Sequence, residues 1–227
     1  MELHATGVRK GWFSWIFRGS AFLHFAASVF MLFVLVQSAG GTVPVRSAYI
    51  SQNETLVIVS WVMSTLAVLS LIGTFTILTF ALDKTYRLIL QWAWMISVIG
   101  GSAVVVNHFI QMTVIPALSE LFLVMPSIRL AQHMVEWDQL LSQLVGIFSL
   151  SCFAISGLIY TGVMFRTRDF SSKLSWWSFF VWTILLLGTI AYRWIHGIVP
   201  VVLGVVIFIY IPWLWYVGEQ VKPQLSQ

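Results

Sequence analysis

Charge is what this chain has least of. Asp, Glu, Lys and Arg make up 9% of its 227 residues, against about 25% in an ordinary soluble domain. Hydrophobic residues make up 59%, and the mean hydropathy is +0.91. A soluble fold of this size cannot hide so much apolar surface, so the solvent is lipid. Cysteine is almost absent: Cys152 stands alone in an apolar run. No intrachain disulfide can form, and the count says nothing about compartment. The chain also lacks a CxxC pair, zinc-type Cys/His spacing, a Walker loop and a GxSxG turn, which removes the chemistries those motifs carry. Lysine occurs only at Lys10, Lys84, Lys173 and Lys222. All four fall at the inner boundary of the spans laid out below, so no retinal Schiff base is expected. The basic pI near 9.5 reads as basic loops on one side of a bilayer rather than as a nucleic-acid surface.

What the chain does have is long apolar runs. A spanning helix needs ~20 apolar residues at a rise of ~1.5 Å each. Six segments qualify, at about 15–38, 55–82, 88–115, 138–165, 174–195 and 198–218. The apolar stretch after Arg9 and Lys10 is too long for a signal core and is expected to stay as the first span. The last two segments nearly merge, and Arg193, His196, Gly197 and Pro200 supply the turn between them. Nine mostly apolar residues between Pro116 and Pro126 reach only ~14 Å as helix, too short to cross. They predict a short interfacial segment between spans three and four. The fold class is therefore all-α: a polytopic six-span transmembrane bundle in one domain, 1–227.

Orientation follows the basic residues. With the N-terminus inside, the inner segments hold Arg9, Lys10, Arg18, Lys84, Arg87, Arg166, Arg168, Lys173 and Lys222. The outer ones hold Arg46, Arg129 and Arg193. That bias puts both termini in the cytoplasm. Span four carries Ser142, Gly146, Ser149, Phe153, Ser156 and Tyr160 at helical spacing, a seam that lets backbones approach closely in lipid. Span one offers Ser20, His24, Ala27 and Ser28 on a comparable face, where His24 reads as a satisfied bundle histidine rather than a proton carrier.

The run GSAVVVNHFIQM, 101–112, places Asn107, His108 and Gln111 on one helix face. Other polar groups are expected at that outer level: His133, Glu136, Asp138, Gln139 and Gln143 opening span four, and Tyr192, Arg193 and His196 ending span five. Deep polar groups in a membrane face protein or water, so these predict an outward-facing polar pocket. Three readings of it stand open. One is a hydrogen-bonded network that fixes the helices. Another is a site for a small molecule or a lipid headgroup, with Arg193 pairing Glu136, Asp138 or an anion. The third is a divalent metal held by His108, His133, Glu136 and His196, all of ligand type. Haem b is disfavoured by depth, since His24 and His108 sit ~14 Å apart along the bundle and cannot share one iron; depth leaves open only His108 with His196, near the outer surface.

The run GLIYTGVMFRTRDFSSKLSWW, 157–177, resembles the fourth-to-fifth span junction of small bacterial six-helix proteins in a domain-of-unknown-function family. Tyr160, the Arg166-x-Arg168 exit and the short polar loop carry the likeness, and the Glu136-Trp137 entry to span four is similar in kind. The resemblance implies six helices and a bacterial cytoplasmic membrane, and no activity. The expected function is a non-enzymatic binding or accessory subunit. Its expected partners are membrane lipids and either another membrane protein or a second copy of itself. The alternatives are an intramembrane enzyme on a lipid or small hydrophobic substrate, with His108 or His133 as base and Glu136 as ligand or acid, and a small-solute transporter.

Overall fold

A computed structural model describes residues 3–168, 170–192 and 198–224, with side chains over 15–168, 170–192 and 204–221. Among them there is helix and no strand. Helix α1, Leu3–Phe30, continues through a π-helical turn, Met31–Leu35, into α2, Val36–Ala39. Then come α3, Val43–Gln52; α4, Glu54–Ala81; and, after a 3-10 turn at Lys84–Tyr86, α5, Arg87–Val124. Helix α6, Ile128–Gln143, runs through a second π-helical turn, Leu144–Ser149, into α7, Leu150–Met164. Helices α8, Ser172–Ala191, and α9, Ile198–Gln224, complete the order.

Six stretches are long and apolar enough to cross a membrane: Trp15–Ala39, Glu54–Ala81, Lys84–Val124, Ile128–Met164, Ser172–Ala191 and Gly204–Val221. Helices α4, α7 and α8 have no polar stripe, as befits helices solvated by lipid or by each other. The chain is built as an integral membrane protein. Its spans form a ring in sequence order. Helix α1 packs on α4, α4 on α5, α5 on α7, α7 on α8, α8 on α9, and α9 closes back on α1.

The interior of the ring is filled by aromatic side chains. Phe75 stacks on Tyr160 (4.8 Å) and leans on Trp182 (5.5 Å). Trp182 meets Tyr210 and Trp213, and Tyr210 meets His24 at 5.0 Å. All five of these core aromatics are buried. Small residues let the helices close around them. A Cβ on Gly157 would run into the Trp182 ring, and one on Gly100 would fall 2.6 Å from Cys152 Cβ. The seam expected on span four is the face that packs: Gly146, Ser149, Phe153, Ser156 and Tyr160 are buried. Ser156 Oγ donates to the Ala93 carbonyl, and Tyr160 shares a hydrogen bond with Thr79. Such interhelical bonds act as polar glue in lipid. Ser142, the outermost member of the seam, is exposed.

Two spans are longer than expected. The residues after Pro116 are not a separate interfacial segment; α5 passes through Pro116 and ends at Val124. Proline removes one helical hydrogen bond, but Ile115, Ser119 and Phe122 on this stretch are buried and α3 packs along α5. Tertiary packing offsets the lost bond. Span four correspondingly begins at Ile128 rather than near 138. Helix α5 has 38 residues and α4 has 28, or ~57 and ~42 Å. Glu54, the first residue of α4, shares a cleft with Met112 through Glu120 of α5. The α5–α6 hairpin therefore rises ~13 Å beyond α4, counting the nine residues from Pro116 to Val124. We call this the hairpin end; the opposite end carries the Asp83–Arg87 and Phe165–Ser171 loops.

Between α2 and α3 the chain turns at Gly40 and Gly41. Gly41 takes φ +81°, which a side chain would resist. Pro44 then sits in the first turn of α3, where its missing N–H is no loss. The turn expected at Arg193–Gly197 lies outside the described residues.

Candidate functional site

The polar residues of the hairpin end fall into separate groups at different heights. Asn107 and His108 are buried and Gln111 is half-buried. His108 Nδ1 lies 2.9 Å from Thr65 Oγ1, and its ring packs 4.9 Å from Trp61. Thr65 also donates to the Trp61 carbonyl at 2.8 Å. A deep imidazole is thus tied between α4 and α5.

His133 and Glu136 form a second group on the surface of α6. Their facing atoms, Nδ1 and Oε2, are 3.7 Å apart, and both side chains are more than half exposed. Trp137 Nε1–H donates to His133 Nε2 at 3.2 Å. That bond makes Nε2 an acceptor and leaves the proton of the neutral ring on Nδ1, facing Glu136. His133 stands ~9 Å below the hairpin tip and His108 ~25 Å below it, counting along the two helices. The expected gathering of His108 with His133 and Glu136 does not occur. The physical reason is the extra length of α5 and α6, which lifts residues 128–143 above the level assigned to them. Gln139 and Gln143 are exposed, and the half-buried Tyr192 donates to Ser142 Oγ at 3.0 Å. Arg193 and His196 lie outside the described residues. Among the described residues no three His, Cys, Asp or Glu side chains come together to hold a metal.

Asp138 pairs with a residue the sequence reading left in a loop. Both Arg46 guanidinium terminal nitrogens reach its carboxylate, Nη2 at 3.0 Å and Nη1 more closely. Their side chains are 10% and 26% exposed, so the pair is largely desolvated. It pins α3 to α6 at the base of the hairpin. The helix that carries Arg46, though not its partner, is signalled in the sequence. Thr42 precedes a proline at the first helical positions, a helix start, and Arg46 lies one turn further on.

A cleft of about 220 Å³ opens at the same end, lined by Ser51, Glu54, Met112, Thr113, Pro116, Ala117 and Glu120. Pro116 has no N–H, so the Met112 carbonyl loses its helical donor at this wall. Pro116 is the sequence feature that points to this wall. The cleft is smaller than the pockets that enclose drug-sized ligands, ~300–1,000 Å³.

The hairpin tip is apolar. Val124, Met125 and Ile128 are 73%, 61% and 80% exposed, with Leu121 and Leu123 beside them at 42% and 43%. Comparison with family models, curated proteins and solved structures finds no match to this chain.

Proposed function

We propose that the protein is a non-enzymatic accessory subunit of a membrane, presenting the tip of its α5–α6 hairpin to a partner protein outside the bilayer. One observation carries this reading. Val124, Met125 and Ile128 are strongly exposed at the end of a helix ~57 Å long, whereas a bilayer with its headgroups is ~40–45 Å thick. On this reading the apolar tip stands beyond the lipid, where it is a contact surface in want of cover. The buried Arg46–Asp138 pair supports it, since it braces the base of the hairpin. The positive-inside bias puts the hairpin on the extracytoplasmic side and both termini in the cytoplasm. A bacterial cytoplasmic membrane, and kinship with the six-helix proteins of unknown function, belong to the same proposal.

The enzyme reading has less support. His108 is engaged by Thr65 and Trp61, and His133 with Glu136 lies on an open helix surface. The transporter reading meets a ring filled by Phe75, Tyr160, Trp182, Tyr210 and Trp213. The test is a photo-crosslinking residue at Val124 or Ile128 in native membranes, with lipid-facing Phe109 as control. The reading expects one protein adduct of constant mass from the tip, lost in the Met125→Asp variant and not formed from position 109. Lipid adducts alone from the tip would overturn it.

A further inference from the structure

The end opposite the hairpin carries cations of two kinds. Arg18 is neutralised, with Nη2 3.1 Å from Glu219. Arg87 and Arg166 are held instead by neutral aromatic groups. The Arg87 guanidinium lies 5.2 Å from the centre of the Phe80 ring. Arg166 lies 5.8 Å from the centre of the Tyr86 ring and donates to the Tyr86 hydroxyl at 3.5 Å. Their positions are set, but their charge is not cancelled by these contacts. Arg87 Nε is moreover buried without a hydrogen-bond partner.

The two loops that bear these residues are joined. The Asp83 backbone N–H donates to Thr167 Oγ1 at 3.5 Å, alongside the Arg166–Tyr86 bond. The joint ties the segment that carries Lys84 and Arg87 to the segment that carries Arg166 and Arg168, with Lys173 in the first turn of α8. The nearby acid, Asp83, turns its carboxylate onto the Thr85 backbone N–H at 2.9 Å; Asp169 lies outside the described residues. No ion pair to a carboxylate joins any of the five cations among the described residues. Exposed apolar side chains flank the cations: Leu88 follows Arg87 in the chain with Trp92 one turn further on, and Trp176 packs on Phe165, the neighbour of Arg166; the three are 68%, 59% and 52% exposed.

We infer that the joined Asp83–Arg87 and Phe165–Arg168 turns form a seat for the phosphate of an anionic membrane lipid, with its acyl chains against Leu88, Trp92 and Trp176. Charge complementarity selects an anion, because basic clusters at the ends of spanning helices bind acidic headgroups. The apolar surface beside the cations selects a lipid over a free phosphate. Arginine fits the role because its planar fork meets phosphate oxygens at two points. The inference rests on the membrane bundle and not on the partner at the hairpin.

The test places the purified full chain in phosphatidylcholine nanodiscs and measures the bound fraction of spin-labelled phosphatidylglycerol against spin-labelled phosphatidylcholine. The inference expects preferential immobilisation of phosphatidylglycerol, weakened about tenfold in the double variant Arg87→Gln, Arg166→Gln. The Arg129→Gln variant at the hairpin end should leave it unchanged. Should the double variant fail to fold, the intact chain still decides. Equal immobilisation of both lipids, or displacement of phosphatidylglycerol by inorganic phosphate at matched concentration, would overturn the inference. Loss of lipid preference with tip crosslinking intact would leave the partner reading standing.

Discussion

Arg46 and Asp138 lie 92 positions apart and meet in a two-point ion pair, largely withdrawn from solvent, at the foot of the α5–α6 hairpin. Removing one member leaves the other poorly solvated and unpaired. Arg46→Ala should therefore destabilise the protein by about 2–4 kcal/mol. Asp138→Ala should cost less, because an arginine stem can move its charge to water. Thermal melts of both single variants and the double in detergent check this. A double variant less stable than the parent by the full sum of the two single losses would mean the pair is not coupled.

The aromatic filling of the ring predicts a contrast between glycines. Gly157→Ala puts a methyl group into the Trp182 ring, whereas nothing lies within 4 Å of a Cβ on Gly162 or Gly73. Gly157→Ala should lower stability by about 1–3 kcal/mol, the usual cost of overpacking. Gly162→Ala should be neutral or stabilising, since alanine is the better helix former. Equal melting temperatures for the two variants would contradict this packing.

His108 supplies a third expectation. Thr65→Val removes the hydroxyl 2.9 Å from His108 Nδ1 and leaves a buried polar atom without that partner. The expected loss is about 1–3 kcal/mol. Metal content, measured on purified parent and on His108→Ala, should be the same. Stoichiometric metal in the parent that disappears from the variant would reinstate the metal reading.

The Asp83 loop gives a pH signature. The Thr85 backbone N–H holds the Asp83 carboxyl below its ordinary value of 3.8. A carboxyl lowered by folding stabilises the fold above its unfolded value and loses that contribution as the pH falls through the lowered one. Asp83→Asn should melt slightly below the parent at neutral pH, and the gap should close as the pH drops below about 4. A gap that is constant with pH would assign the effect to something other than the charge.

Much of the fold was legible because lipid imposes a simple rule: each crossing needs an unbroken apolar run. All six spans were readable in that way, and so was the packing seam through Gly146, Ser149, Ser156 and Tyr160. The hairpin was not, because Pro116 reads locally as a stop, while burial of Ile115, Ser119 and Phe122 keeps the helix going. That single difference moved His133 and Glu136 away from His108. Arg46 was hidden for a related reason. Its partner lies 92 residues away, and no local pattern announces a charge pair between two helices.

Cysteine labelling of the tip bears most directly on the proposed role. In a Cys152→Ser background, a cysteine at Val124 should react from outside intact cells with a membrane-impermeant maleimide. Co-expression of a bound partner should slow that reaction. A cysteine at Val124 that stays unreactive until detergent is added, or reacts only in inverted vesicles, would place the tip in lipid or in the cytosol and contradict the proposal.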